Sequence, residues 1–138
     1  MFGFVNNLLF KNIFNGIADD VCNMIDINLL EAGLDKGSLP DKLGYDPYIL
    51  GYFSGLVFSV EENINGKTLP ESLLSKCTYE IAKLYFPSLS KSEFDNSINT
   101  NSKIIDAAQK DGIRDVKAML FLKESTGELG AYLKDKSL

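Results

Sequence analysis

The segment 48–60 carries no charged residue, and it constrains the fold more than any other part of the chain. Its 13 residues would span only ~20 Å as a helix, whereas a bilayer core needs ~30 Å. Two glutamates follow directly. Gly51, Gly55 and Ser59 recur every four residues, and such small residues let a second helix come close, within the chain or in another subunit. The segment therefore predicts the central helix of a bundle, over about residues 47–63, and no transmembrane span.

Helix start signals recur along the rest of the chain, and no alternating pattern predicts a strand. Three pairs of residues match N-terminal capping signals: Asp46 with Pro47, Thr68 with Glu71, and Ser90 with Glu93. Leu89 and Phe94 flank the last pair at the positions of a hydrophobic staple. Gly33 predicts the end of the first helix. The expected fold is an all-α, single-domain helical bundle of five or six helices that spans residues 1–138.

Weaker signals set the expected ends of the later helices. The helix after Glu71 should bury Leu84. Asp111–Gly112 should be either a break in the helix or a tight junction between two helices. A last strong helix should then run to about residue 125 and place Leu122 in the core. Residues 128–138 should add at most one further turn.

The charge of the chain is unevenly distributed. The net charge of the chain is −5. Residues 1–66 have three lysines and nine acidic residues and so carry −6, whereas residues 67–138 carry +1. A surface of this sign repels nucleic acid and anionic lipid, and it attracts basic partners. Lys103, Lys110 and Lys117 form a stripe in the other half, but aspartates are interleaved with them, so no nucleic-acid site is expected.

The residues that most enzymes use for chemistry are scarce. The chain has no histidine, which removes the commonest general base and zinc ligand, and no cofactor or metal site is expected. Cys22 and Cys77 are expected to be interior free thiols rather than a disulfide, in keeping with a cytoplasmic location. The opening residues 1–10 are apolar but have no basic flank, which leaves a weak membrane contact open.

Candidate contact residues cluster in the acidic half. Asp19, Asn23 and Asp26 share a helix face, where carboxylates could hold a hard cation, act as an acid–base pair or meet a basic protein. Tyr45 and Tyr48 flank a charged loop and could anchor a partner. The complete predicted partner-binding set is Asp19, Asp20, Asn23, Asp26, Asp35, Asp41, Tyr45, Asp46 and Tyr48.

These features favour a non-enzymatic protein-binding module. We expect a small acidic inhibitor, immunity-type or regulatory protein that neutralises a basic protein partner such as a toxin, and the residue usage suits an A+T-rich bacterial or phage genome. One alternative is a small-ligand-binding or enzymatic helical domain that uses carboxylates. A second alternative is a structural homo-oligomer, for example a homodimer joined through Gly51 and Gly55.

Overall fold

The computed structural model describes the backbone of residues 2–137 and the side chains of residues 8–136. Within this part the chain forms an all-helical bundle without strands, as the sequence predicts. Its six helices are α1 (Phe2–Glu31), α2 (Pro47–Ile64), α3 (Glu71–Tyr85), α4 (Lys91–Thr100), α5 (Ser102–Lys117) and α6 (Glu128–Ser137). Two short 3₁₀ turns, Lys36–Ser38 and Asp41–Tyr45, connect α1 to α2.

Helix α2 lies at the centre of the bundle, which confirms the interpretation of the uncharged segment. Every residue from 49 to 61 is buried except Phe58. The Asp46 carboxylate caps the helix by accepting the backbone N–H of Tyr48 at 2.9 Å, and Pro47 is the first helical residue. An amphipathic helix buries one face, whereas α2 is covered on nearly all sides by its neighbours.

The small residues of α2 pack against α5 of the same chain. A Cβ added to Gly51 would lie 2.6 Å from the carbonyl oxygen of Ile105 and 2.8 Å from the Cβ of Ala108. A Cβ on Gly55 would overlap the carbonyl oxygen of Gln109. The two helix backbones approach too closely for any larger side chain, so this stripe is used within the chain and is not available between subunits.

The predicted break at Asp111–Gly112 is wrong, because α5 continues through both residues to Lys117. Gly112 is the third glycine of the close contact, since a Cβ there would overlap the carbonyl oxygen of Tyr52. A glycine that ends a helix and a glycine that admits a second helix look alike in sequence. The real junction lies at Asn101, between α4 and α5, where φ is −131° and ψ is 39°.

One of the two capping boxes is present. Ser90 accepts the backbone N–H of Glu93 at 3.1 Å, and Glu93 accepts the backbone N–H of Ser90 at 3.2 Å. The box predicted for Thr68 and Glu71 is wrong: α3 begins at Glu71, which puts Pro70 at the N-cap without a side-chain cap and leaves Thr68 too far upstream.

The prediction for Leu84 is also wrong, since 48% of its surface is exposed. Helix α3 buries Cys77, Thr78, Ile81, Ala82 and Tyr85. That face is rotated away from Leu84, so this leucine points outward at the end of the helix.

The C-terminal region differs most from the prediction. Helix α5 passes into a single π-helical turn, Ala118–Leu122, and Lys123 then adopts the left-handed conformation with φ of 61°. This reversal turns the chain away before Leu122 can reach the core, so 68% of Leu122 is exposed. Residues 128–137 form a full helix, α6, which buries Leu129 and Leu133 against α1.

Both cysteines are free thiols, with Cys77 buried and Cys22 half-buried. Burial raises the pKa of each thiol, to about 11 for Cys77. In the described part of the chain, no helix combines the length and the apolarity that crossing a membrane requires. The predicted membrane contact of residues 1–10 lies largely outside the residues whose side chains are described.

Candidate functional site

The acidic face of α1 is solvent-exposed along its predicted length. Asp19, Asn23 and Asp26 are exposed, and Asp20 is half-buried. Asp26 is fixed in place, because the Tyr85 hydroxyl donates to its Oδ1 at 2.8 Å. This contact joins the outer face of α1 to the C-terminal end of α3.

The connection between α1 and α2 is held against the same end of α3. Asp35 caps the first 3₁₀ turn by accepting the backbone N–H of Gly37 at 3.3 Å. The ammonium of Lys36 lies 4.5 Å from the centre of the Tyr85 ring, on which it can make a cation–π contact. Gly44 packs so closely on Phe86 that a Cβ would lie 2.7 Å from the Cβ of Phe86. The structure therefore joins the α1 face and the loop into one continuous region.

Tyr45 is the exposed aromatic side chain of this region, with 44% of its surface accessible. Its carbonyl oxygen accepts the hydroxyl of Ser97 in α4 at 2.8 Å, which ties the backbone to a helix. A depression of about 320 Å³ lies on one side of Tyr45, and one of about 420 Å³ lies on the other. Both depressions are open to solvent, and Tyr45 and Pro47 line both of them.

The residues around Tyr45 carry mixed charges. Lys42, Asp46 and Lys136 line the smaller depression, and Glu93 lines the larger one. Asp41 is exposed at the start of the same 3₁₀ turn. The acidic excess of the front half is therefore concentrated on α1 rather than around the tyrosine.

Asp46 and Tyr48 are less available to a partner than their sequence position suggests. The Tyr132 hydroxyl donates to Asp46 at 2.8 Å, and the Tyr48 ring stacks on the Tyr132 ring with centroids 4.2 Å apart. The Tyr48 hydroxyl donates to Asp111 at 3.1 Å. Burial is the main cause that raises the pKa of both tyrosines, and the neighbouring carboxylates add to it. These contacts dock α6 and α5 onto the start of α2.

A buried polar cluster, which the sequence reasoning did not find, lies on the other side of the bundle. Asp115 is fully buried, and its Oδ2 accepts the amide of Asn28 at 2.9 Å and the hydroxyl of Tyr52 at 2.5 Å. Its Oδ1 accepts the hydroxyl of Ser125 at 3.1 Å and the backbone N–H of Thr126 at 2.9 Å. Four donors thus occupy this carboxylate, which leaves it satisfied by the protein itself.

Part of this cluster could have been found from the sequence. Asn28 lies at helical spacing from Val21 and Met24, which puts a polar residue on the apolar face of α1. Asp115 stands seven residues after the buried Ala108, again on the inner face of its helix. The lysines around it in sequence, however, make it resemble part of a solvated face.

The acidic groups of the described residues give no metal centre. Within the described residues, no group of three or more cysteine, aspartate and glutamate side chains is placed to hold a metal ion. The ion pairs in that part of the chain join Lys91 to Asp95, and Arg114 to both Asp111 and Glu128. Comparison of the chain with protein-family models, with curated proteins and with solved structures found no match.

Proposed function

We propose that this protein is a binding module without chemistry of its own, which recognises and neutralises or regulates a basic protein partner. The inhibitor or immunity-type role in a bacterial cytoplasm is the specific form of this proposal. The observation that carries it is Tyr45, a tyrosine held exposed on a rigid turn between two surface depressions.

A tyrosine in this setting suits an interface anchor. Aromatic side chains bury a large area at little cost in conformational entropy, and their hydroxyl adds a directional bond. The Ser97 hydrogen bond and the contact of Gly44 with Phe86 already fix the backbone at Tyr45. Because the turn is ordered before binding, little entropy remains to be lost on association. The flanking depressions provide concave surface for the partner's side chains.

The charge of α1 supports a basic partner. From residue 12 to residue 35 the chain has five carboxylates and no lysine or arginine. None of these five takes part in the ion pairs of the described residues. Such an uncompensated field accelerates the encounter with a basic protein and makes the association rate depend on salt. Attraction would come from α1, and anchoring from Tyr45.

A pull-down of tagged protein from the native cell lysate tests this proposal. We expect a stoichiometric basic protein at low salt and its loss at high salt. Tyr45→Ala should lower its recovery at least about tenfold, the effect of a hot-spot residue. The Asp19→Asn, Asp20→Asn variant should also weaken capture, because it removes two of the carboxylates of α1.

Matched controls separate the site from general effects of charge and apolar area. Asp106→Asn with Asp135→Asn removes the same charge from exposed positions in the other half of the chain. Leu84→Ala removes a side chain of similar exposure on α3. Both controls should retain the partner. A partner that tolerates Tyr45→Ala but is lost in the controls would reject the proposed surface.

A further inference from the structure

The turn after α5 displays an apolar tip between two lysines. Phe121 is 71% exposed and Leu122 is 68% exposed. Lys117 and Lys123 are exposed at the two ends of this uncharged stretch. The π-helical turn and the left-handed backbone of Lys123 hold the pair outward, away from the core. We refer to residues 117–123 as the basic tip.

The C-terminal end of α1 carries a second apolar patch, of opposite charge. Leu30 is 80% exposed and Ile27 is 41% exposed. Asn23, Asp26 and Glu31 are exposed around them. No lysine or arginine occurs on this part of α1. We refer to the exposed side chains of this stretch as the acidic patch: Asn23, Asp26, Ile27, Leu30 and Glu31.

The basic tip and the acidic patch are neighbours in the fold. The Ser125 hydroxyl oxygen lies 3.2 Å from Oδ1 of the buried Asn28, which places the chain just after the tip against the inner face of the α1 segment that carries the acidic patch. A Cβ on Gly127 would lie 4.0 Å from a carboxylate oxygen of Glu31. The two segments therefore meet at the Glu31 edge of the acidic patch.

We propose that two copies of this chain associate through these surfaces, with the basic tip of each copy on the acidic patch of the other. Phe121 and Leu122 would cover Ile27 and Leu30 of the second copy. The lysines of the tip would face the carboxylates of the patch. Because the two segments meet beside Glu31, a two-fold axis near that residue would let both contacts form at once and close the dimer.

Charge and exposure together select a second copy as the occupant. Contiguous exposed apolar side chains rimmed by charges mark interaction sites in soluble proteins. The tip requires an acidic partner surface with apolar residues, and the acidic patch is such a surface. An anionic membrane fits less well, because the chain has a net charge of −5 and the acidic patch lies beside the tip. This interface leaves Tyr45 free, but it covers Asp26 and Glu31, two of the five carboxylates to which the proposed function assigns the attraction of a basic partner.

Sedimentation velocity of the full chain over about a hundredfold range of concentration tests the dimer. The wild type should pass from monomer to a plateau at the dimer mass, and high salt should shift the transition to higher concentration. Phe121→Asp should raise the dissociation constant at least about tenfold. This residue is exposed, so the variant should fold normally. Leu84→Asp, which adds the same charge at an exposed apolar position on α3, should dimerise like the wild type.

Charge reversal tests the pairing directly. Lys117→Glu with Lys123→Glu makes the tip acidic, and Asn23→Lys with Glu31→Lys makes the patch basic. Each double variant alone should be monomeric, because like charges would meet at both contacts. An equal mixture should form a heterodimer, because both contacts then pair opposite charges.

The proposal is overturned by a monomeric mass for the wild type at all concentrations, by wild-type dimerisation of Phe121→Asp, or by a mixture that stays monomeric. Growth beyond the dimer mass would overturn the closed two-fold arrangement. Because Tyr45 is intact in all these variants, the pull-down of a basic partner with Phe121→Asp separates a failure of the dimer from a failure of the proposed function.

Discussion

Adding one methyl group to Gly51 should destabilise the protein, although alanine is the better helix former. A Cβ at this position would lie 2.6 Å from the carbonyl oxygen of Ile105, 2.8 Å from the Cβ of Ala108 and 2.9 Å from the Cα of Ile105. Ordinary contacts begin at about 3.4 Å. Helix α5 would have to move by roughly 0.8 Å, and two of the three atoms belong to its backbone, so no side-chain rotation relieves the overlap.

The size of the effect follows from two opposing contributions. Overpacking of an ordered interior costs about 1–3 kcal/mol, and the backbone contacts of Gly51 place it at the upper end. Replacement of glycine by alanine within a helix stabilises the folded state by about 1 kcal/mol. We expect Gly51→Ala to lower the free energy of unfolding by about 2 kcal/mol, out of roughly 10 kcal/mol for a domain of this size.

Gly16 provides the matched control. It lies inside α1, it is exposed, and the nearest atom to an added Cβ is the Asn65 Nδ2 at 4.0 Å. Gly16→Ala should therefore raise the free energy of unfolding by about 0.5–1 kcal/mol. The two substitutions add the same methyl group to a helical glycine, yet they should differ by about 3 kcal/mol.

Urea unfolding followed by circular dichroism measures both free energies, and thermal melts should place the two midpoints about 9 °C apart, at roughly 3 °C per kcal/mol. If Gly51→Ala were as stable as Gly16→Ala, α2 and α5 would not pack backbone to backbone.

Three further predictions concern caps, tyrosines and thiols. Ser90→Ala should cost about 1 kcal/mol in urea unfolding because it removes the capping box, whereas Thr68→Ala should cost almost nothing, and equal losses would contradict the start of α3. Burial and the hydrogen bond to Asp115 raise the pKa of Tyr52, because both favour the neutral hydroxyl in the folded state. The free energy of unfolding should therefore be constant below the unfolded tyrosine pKa of about 10 and fall at higher pH. Tyr52→Phe should reduce this fall, as measured by urea unfolding at a series of pH values. An unchanged dependence on pH would contradict the role of Tyr52. Cys22 and Cys77 should react slowly with a disulfide reagent at neutral pH, with the half-buried Cys22 first, because their raised pKa values leave little thiolate; simultaneous fast labelling would contradict their burial.

Local signals in the sequence predicted the features that depend on a few neighbouring residues. The N-cap at Asp46 and the capping box of Ser90 need only side chains within three positions of the helix start. The burial of α2 follows from its lack of charge, which no exposed helix would show. Such features are set before the chain acquires its tertiary contacts, so the sequence is sufficient to locate them.

Features that depend on distant partners could not be located in this way. Gly112 resembles a helix stop unless Tyr52, 60 residues earlier, is known to press against it. Helix α6 has a weak apolar pattern of its own, and it is held by Leu129 and Leu133 in the core and by the hydrogen bond from Tyr132 to Asp46. The exposed Leu122 follows the helical spacing of core residues, and the π-helical turn displaces it from the core.

The cluster around Asp115 shows how such distant contacts select one arrangement of the chain. A buried carboxylate is costly unless donors surround it, and here the donors come from α1, from α2 and from the turn before α6. If that turn moved away, Oδ1 of Asp115 would lose both of its partners while it remained in the core. Apolar packing alone would tolerate several positions for a helix as short as α6. The donors of the preceding turn reach Asp115 in only one of these positions. The cluster thus positions the segment between α5 and α6, and with it the basic tip that this segment carries.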